Sequence, residues 1–163
     1  MENMAALISQ HWLVECYGKD GKLKWVEDYD NLVVTEGLNK YLDATLKTGL
    51  ASPAWYVGLK DTGTPAAGDT LASHATWVEL DVYSETTRRT WTPGTISGGS
   101  VNNSSSKAVF TIDTDDTVYG AFMCSVASGT AGVLLGVGDF AAPRAVISGD
   151  VLNVTVTCSI AAS

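Results

Sequence analysis

The segment near the end of the chain, residues 151–160, alternates strictly between apolar and polar side chains. Its apolar members are Leu152, Val154, Val156, Cys158 and Ile160, and the polar residues between them are Asn153, Thr155, Thr157 and Ser159. Successive side chains of a β-strand point to opposite faces of a sheet. The period of two therefore predicts a long strand with one dry face and one wet face.

The rest of the chain uses the residues typical of strands and turns. Only 17% of the 163 residues are charged, 45% are apolar, and Thr, Ser, Gly, Val and Ala are abundant. Short apolar runs recur about every 8 to 12 residues between Gly, Pro and Asp turns, which is typical of sandwiches and jelly rolls. We therefore predict an all-β, jelly-roll-like β-sandwich with one short helix. Residues 11–163 form its single domain, and residues 1–10 form an N-terminal arm.

The first two strands are expected to form a hairpin. Asp20-Gly21 separates the apolar run that ends at Tyr17 from the run that starts at Leu23. An Asp-Gly pair between two apolar runs favours a type I′ turn, in which both central residues have positive φ. A separate short strand is expected at residues 31–34.

The single helix is predicted between Thr35 and Gly49. Thr35 can cap the helix, and Gly49 can end it. Apolar residues recur at helical spacing at Leu38, Tyr41, Leu42 and Leu46. We expect this stripe to pack against the sheet; the alternative is a helix that binds a partner.

The stretch from Trp55 to Leu80 consists of two short apolar segments joined by a long loop. It begins as a short strand that is expected to break at Gly58, passes through a long loop, and ends in an apolar run around Trp77. A loop of this length is either functional or held by its own contacts.

Charge and cysteine content exclude several classes of protein. The net charge of −8 argues against a nucleic-acid partner, which would need clustered Lys and Arg. Cys16, Cys124 and Cys158 each lie within an apolar run, so we expect buried, reduced thiols and assembly in a reducing cytoplasm. Neither a signal-peptide pattern nor an apolar run of 18 residues is present, so no membrane association is expected.

The sequence offers little chemistry for an enzyme. Imidazole could come only from His11 or His74, and the adjacent Ser73 and His74 would point to opposite faces of an extended chain. A metal site could be drawn from four residues of the central stretch, namely Asp69, His74, Glu79 and Asp81, but their spacing matches no known ligand pattern. We therefore expect no enzymatic activity, no catalytic residue, no cofactor and no metal.

Three tryptophans near predicted loops, Trp55, Trp77 and Trp91, admit two interpretations. Tryptophan rings can stack on sugars, as in lectin-like sandwiches. Tryptophans at such positions more often fill a core or an interface with another protein. Binding of a host glycan is therefore kept as an alternative.

Several segments, taken together, resemble a family of small structural proteins encoded by tailed bacteriophages. The resemblance covers nearly the whole chain from Asn31 onward. It is carried by Asn31-Leu32-Val33-Val34 leading into Gly37-Leu38, by Tyr56-Val57-Gly58-Leu59-Lys60, by Gly68-Asp69-Thr70-Leu71-Ala72-Ser73-His74 with Trp77-Val78-Glu79, and by shorter matches from Tyr83 to Val154.

The resemblance implies a viral protein of the virion, specifically a jelly-roll cement or decoration protein. Such a protein lies on the outer surface of the mature head and bridges neighbouring major capsid proteins, often as a dimer, although a trimer is also compatible. The alternative within the same resemblance is a tail-associated or receptor-binding module that recognises a host glycan. The expected partner contacts are residues of the arm and the three tryptophans: Met4, Leu7, Ile8, Trp55, Trp77 and Trp91.

Overall fold

The computed structural model describes residues 6–162, of which the larger part is strand and a small part is helix. Ten strands and one helix follow one another along these residues. They are β1 (Ala6–Tyr17), β2 (Leu23–Val33), α1 (Thr35–Leu46), β3 (Trp55–Gly63), β4 (Trp77–Leu80), β5 (Arg89–Trp91), β6 (Ser100–Asn102), β7 (Ala108–Thr111), β8 (Asp116–Cys124), β9 (Leu134–Val146) and β10 (Val151–Ala162).

The strands form one continuous antiparallel sheet that folds over on itself at β2. The order is β4-β3-β8-β9-β2-β1-β10-β6, with β5 also paired to β3 and β7 also paired to β10. Strand β2 pairs with β1 as far as Asn31 and then with β9 at Leu32 and Val33. Because β2 changes partner, it joins two halves of the sheet.

The main core lies between these two halves. Buried side chains of β1 and β10, such as Trp12 and Val154, belong to the same cluster as Leu59 of β3 and Met123 of β8. The halves therefore face each other across one apolar layer, and the predicted all-β, sandwich-like fold with one helix is confirmed.

Strand β1 is longer than the sequence indicated. Its pairing with β10 runs without a break from Ala6 opposite Ala162 to Tyr17 opposite Val151. Gln10 is fully buried. The part of the expected arm that lies among the described residues, 6–10, is therefore the start of β1, and the domain begins before residue 11.

The predicted hairpin between β1 and β2 forms, but its turn is of another type. Gly21 has a φ of 73°, whereas Asp20 does not have positive φ. The Gly21 N–H donates to the Gly18 carbonyl at 2.8 Å, and the Gly18 N–H donates to the Lys22 carbonyl at 2.9 Å. This is a three-residue loop with one left-handed glycine rather than a type I′ turn, so only the glycine has to adopt positive φ.

Two expected breaks in the strands do not occur. Residues 31–33 continue β2, and β3 runs through Gly58 instead of ending there. A Cβ atom at Gly58 would lie 2.3 Å from the ring of Phe122 on the neighbouring strand β8. The glycine therefore makes room for an aromatic ring and does not mark a turn.

Helix α1 has the predicted length but not the predicted orientation. Thr35 is its first residue rather than a side-chain cap, and the chain reverses at Gly49 with a φ of 82°. Gly37 is the one buried residue of the helix. Of the predicted stripe, Tyr41 packs against the core as expected, whereas Leu38, Leu42 and Leu46 are exposed. Within residues 6–162, none of the helical structure is long and apolar enough to cross a lipid bilayer.

Candidate functional site

One end of the sandwich gathers most of the features that could bind a partner. We call it the helix end, and define it as α1 with residues 50–55, the start of β1 (Ala6–Ser9), the end of β10 (Ser159–Ala162) and the loop at residues 92–99. Ile8 lies opposite Ile160 in the paired strands. Residues of α1, the loop and β10 line one common groove.

This groove, the end groove, has a volume of about 750 Å³. Helix α1 forms one side of it, the loop at residues 92–99 forms the other, and the ends of strands form its floor. Its larger apolar lining residues are Tyr41, Pro53, Trp55, Trp91, Ile96, Val101, Met123, Leu135 and Ile160. No sequence pattern predicts it, because the residues come from six separate segments.

The polar groups around the end groove are mostly bonded to each other or to the backbone. The Trp55 indole N–H donates to the Ser52 hydroxyl at 3.1 Å, and the Trp91 indole N–H donates to the Val156 carbonyl at 3.2 Å. The Ser159 hydroxyl donates to the Ser100 hydroxyl at 3.1 Å. Few hydrogen-bonding groups are therefore left for a ligand.

Two ionisable groups of the groove are neutral at physiological pH. Burial raises the pKa of the Tyr41 phenol, and the neighbouring Cys158 raises it further. Burial also raises the pKa of the Cys158 thiol, whose sulfur accepts the Gln10 amide N–H at 3.6 Å. A thiol with a raised pKa is a poor nucleophile, so Cys158 is a packing residue of the groove wall.

The leucine stripe of α1 is the second surface of the helix end. Leu38, Leu42 and Leu46 are 37%, 55% and 77% exposed, and Leu50 follows them beyond the helix. Residues four apart lie on one face of a helix, so the three helical leucines form a continuous apolar strip. This stripe faces solvent rather than the sheet.

The helix is held against the sheet by residues that the apolar pattern did not select. The Glu36 carboxylate accepts the Leu71 N–H at 3.0 Å and the Leu134 N–H at 2.7 Å. A Cβ atom at Gly37 would lie 2.3 Å from the Leu135 carbonyl oxygen. The backbone of α1 therefore approaches β9 closely at Gly37, and this contact turns the leucine stripe outward.

The partner-contact residues expected from the sequence do not all lie in one part of the structure. Met4 lies outside the described residues. Leu7 is exposed and Ile8 is half-buried at the start of β1. Trp55 and Trp91 lie opposite each other on β3 and β5, and both line the end groove. Leu7, Ile8 and Trp55 are therefore brought to the helix end, whereas Trp91 is a core residue, 8% exposed, beneath it.

Trp77 lies elsewhere and is a core residue, with only 3% of its surface exposed. Its indole N–H donates to the Asp69 carboxylate at 3.0 Å, and its ring stacks on His74 at 3.9 Å between centroids. It belongs to a second apolar cluster with Leu71 and Phe122. Its side chain has almost no surface to offer a partner, and the loop before it is held by its own contacts.

The residues considered for a metal site do not converge. Asp69 is occupied by Trp77 and by the Ala66 N–H, and His74 donates to the Trp77 carbonyl. Glu79 forms a two-point ion pair with the buried Arg88 at 2.7 and 2.8 Å. Among residues 6–162, no three His, Cys, Asp or Glu side chains are placed so that they could hold one metal ion.

Comparison of the chain with models of known protein families gives no match, and a search of curated proteins gives none.

Proposed function

We propose that the chain is a non-enzymatic structural protein of a tailed-phage particle, a cement or decoration protein that binds the outside of the mature head through its helix end. The proposal is supported by the sequence resemblance and, above all, by one observation. Seven of the thirteen large apolar residues that are exposed in the described part of the chain belong to the helix end: Leu7, Leu38, Leu42, Leu46, Leu50, Ile96 and Ile160.

Such a concentration is typical of a surface that meets another protein. Scattered apolar residues on a protein surface are normal, whereas a contiguous apolar patch marks an interaction site. Among the seven, Leu38, Leu42 and Leu46 form such a patch because they share one face of α1. An exposed apolar strip on a helix is one of the common ways to dock into a groove of a partner. The partner in this proposal is the major capsid protein, and each copy would contact neighbouring capsid subunits.

The rest of the molecule suits a passive role. The two halves of the sheet are packed on a continuous core, and the acidic balance of the chain, −8, keeps a free subunit soluble before it meets the shell. A cement protein acts by adding contacts between subunits, so it needs a rigid scaffold and a binding surface but no reacting groups.

The glycan-binding alternative has weaker support. Sugar recognition needs polar side chains that can bond hydroxyl groups, because an unbonded hydroxyl is costly to bury. The polar groups around Trp55 and Trp91 are largely bonded already, and Trp77 is buried. A glycan site would therefore have to lie away from these three rings.

The proposal is tested by adding purified protein to phage heads from which it has been removed. Wild-type protein is expected to bind with micromolar or tighter affinity and to raise the temperature at which the heads open. The double variant Leu42→Ser/Leu46→Ser should bind at least ten-fold more weakly, because it removes most of the apolar area of the stripe. Imaging should show density between capsomers.

The matched control is Val78→Ser, which removes an equally exposed apolar side chain from strand β4, away from the helix end. It should bind like the wild type. Failure of the wild-type protein to bind heads, or a specific glycan-array signal in its place, would contradict the proposal. Equal binding by the double variant would show that the stripe is not the contact.

A further inference from the structure

The end groove has the properties of a small-molecule site. Its volume of about 750 Å³ lies within the range of about 300 to 1,000 Å³ that is usual for ligand pockets. Its rim includes Ile96 and Ile160, which remain 73% and 48% exposed although both are large and apolar. A ligand that covered them would remove this apolar surface from water, which is favourable.

The hydrogen-bonding state of the groove restricts the ligand class. Sugars, nucleotides and peptide backbones all carry polar groups that need partners when they are buried. Both indole N–H groups and the hydroxyls of Ser52, Ser100 and Ser159 are already engaged. An aliphatic chain has no polar groups to satisfy, so it fits this lining best.

The charge of the groove indicates what the ligand carries at its end. Lys40 is the one charged residue among those that line the groove. Among the described residues no carboxylate forms an ion pair with it, although the whole chain carries a net charge of −8. The nearest acidic influence is Asp43, whose pKa is lowered first by its ion pair with Lys47 and also by the charge of Lys40. A cation at the rim of an apolar groove is complementary to an anionic head group.

We propose that the end groove binds a linear amphiphile, with its aliphatic chain along Trp55, Ile96 and Ile160 and its carboxylate beside Lys40. The inference goes beyond the virion role and does not rest on it, although the rim residues Ile96 and Ile160 also belong to the helix end. Fatty acids of about eight to twelve carbons are the probes that fit the chemistry.

The first measurement is calorimetric titration of the purified protein with octanoate, decanoate and dodecanoate below their micellar concentrations. Binding should saturate at one molecule per chain. Each two added methylenes should tighten binding about ten- to fifteen-fold, because each buried methylene contributes about 0.8 kcal/mol. Saturable quenching of tryptophan fluorescence should accompany binding, since two of the five tryptophans line the groove.

The second measurement assigns the head group and the position. Lys40→Gln should weaken decanoate binding about three-fold and leave decanol binding unchanged, because only the carboxylate interacts with the ammonium group. The control Lys47→Gln removes an exposed cation just after the helix that does not line the groove. It should leave the affinities for decanoate and for decanol unchanged.

Two variants test whether the chain enters the groove. Ala44→Phe fills it from the helix side, and Thr92→Trp fills it from the loop side at an exposed position. Each should weaken decanoate binding at least ten-fold while unfolding at about the wild-type temperature, and two variants are used in case one does not fold.

Three results would overturn the inference. The first is binding that does not saturate or does not depend on chain length, which is adsorption to exposed apolar surface. The second is wild-type affinity in a folded groove-filling variant. The third is self-association that excludes decanoate from the wild-type protein, which would mean that a second copy of the chain occupies the groove.

Discussion

The carboxylate of Glu36 has a structural role that its position near a helix start only partly explains. A carboxylate in the first turn is expected to interact favourably with the helix dipole. In this protein it also accepts the N–H groups of Leu71 and Leu134, which belong to the loop before β4 and to the first residue of β9. One side chain therefore ties the helix, the loop and the sheet together.

Replacing Glu36 by Ala should lower the free energy of unfolding by about 3 kcal/mol, since two charge-assisted hydrogen bonds are lost and two N–H groups are left without partners. Glu36→Gln keeps one acceptor oxygen and should cost about 1 kcal/mol. Urea denaturation measures both values.

The control is Glu85→Ala, because the Glu85 carboxylate accepts the Thr111 N–H at 3.1 Å in an exposed position. Water can replace that bond, so we expect a loss below about 1 kcal/mol. If Glu36→Ala costs no more than Glu85→Ala, Glu36 does not tie the three elements together.

Lys60 is a buried charged residue that the sequence pattern does not predict. A lysine in a strand is normally assigned to the wet face, yet Lys60 is completely buried. Its ammonium group donates to the Asp61 carbonyl at 2.8 Å and the Gly63 carbonyl at 2.6 Å, and it lies 2.6 Å from the Asp139 carboxylate. All three donors are satisfied, but the acceptors come from the irregular end of β3, where the register shifts, and from another strand, which no local pattern identifies.

At the scale of the element, helix propensity and close packing predict opposite effects for the replacement of Gly37 in α1. In a helix interior, Ala is favoured over Gly by about 1 kcal/mol, so propensity alone predicts that Gly37→Ala stabilises the protein. The added Cβ atom would lie 2.3 Å from the Leu135 carbonyl oxygen, which is backbone and cannot easily move aside. Overpacking of this kind costs about 1 to 3 kcal/mol.

We therefore expect Gly37→Ala to lower the free energy of unfolding by about 2 kcal/mol in urea denaturation. The control Asn39→Ala changes an exposed residue of the same helix and should raise it by about 0.5 kcal/mol, because only propensity acts there. Stabilisation by both substitutions would show that α1 is not closely packed at Gly37.

The sequence predicts where the strands and the helix lie better than it predicts which surfaces they pack against. The β1–β2 hairpin and the extent of α1 follow from local patterns and are confirmed. The alternation of β10 holds from Leu152 to Cys158 except at the buried Thr155, and it fails at Ile160, which is 48% exposed. The apolar pattern selects the leucine stripe as the buried face of α1, but the face that can approach β9 most closely is the one at Gly37. Periodicity measures hydrophobicity and does not measure how closely two backbones can approach.

The same limit applies to the candidate site. Trp55 and Trp91 were expected to contact a partner and do line the end groove, whereas Trp77, in a similar sequence setting, is in the core. Trp55 is half-buried and borders the groove, Trp91 is 8% exposed in the main core beneath it, and Trp77 is packed under residues of the loop before β4. Such coverage depends on long-range folding.

At the scale of the whole molecule, buried thiols and phenols make the free energy of unfolding depend on pH in the alkaline range. Burial, with the neighbouring Asp150 carboxylate, raises the pKa of the Cys16 thiol to about 12. Burial also raises the pKa values of Cys124, Cys158, Tyr41 and Tyr83. Above about pH 9 the unfolded chain loses thiol protons that the folded chain keeps, so the free energy of unfolding falls as the pH rises.

The fall should be about 1.4 kcal/mol per pH unit for the Cys16 thiol, from about pH 9 upward, and the raised pKa values of Cys124 and Cys158 should make it steeper. Urea denaturation between pH 7 and pH 11 measures it. Cys16→Ala removes one of these protons, so its stability relative to the wild type should improve by that amount per pH unit above about pH 9. Parallel curves for the two proteins would mean that the Cys16 thiol is not protected from ionisation.

The pairing of β1 with β10 has a consequence for how the molecule is made. These two strands are neighbours, sixth and seventh of the eight along the sheet, yet they are the first and the last strands of the described chain. A ribosome that has synthesised β1 through β9 has still not supplied the strand that β1, β6 and β7 all require. Such long-range closure is slow, so the nascent chain waits with one edge of β1 unpaired until translation has passed β10.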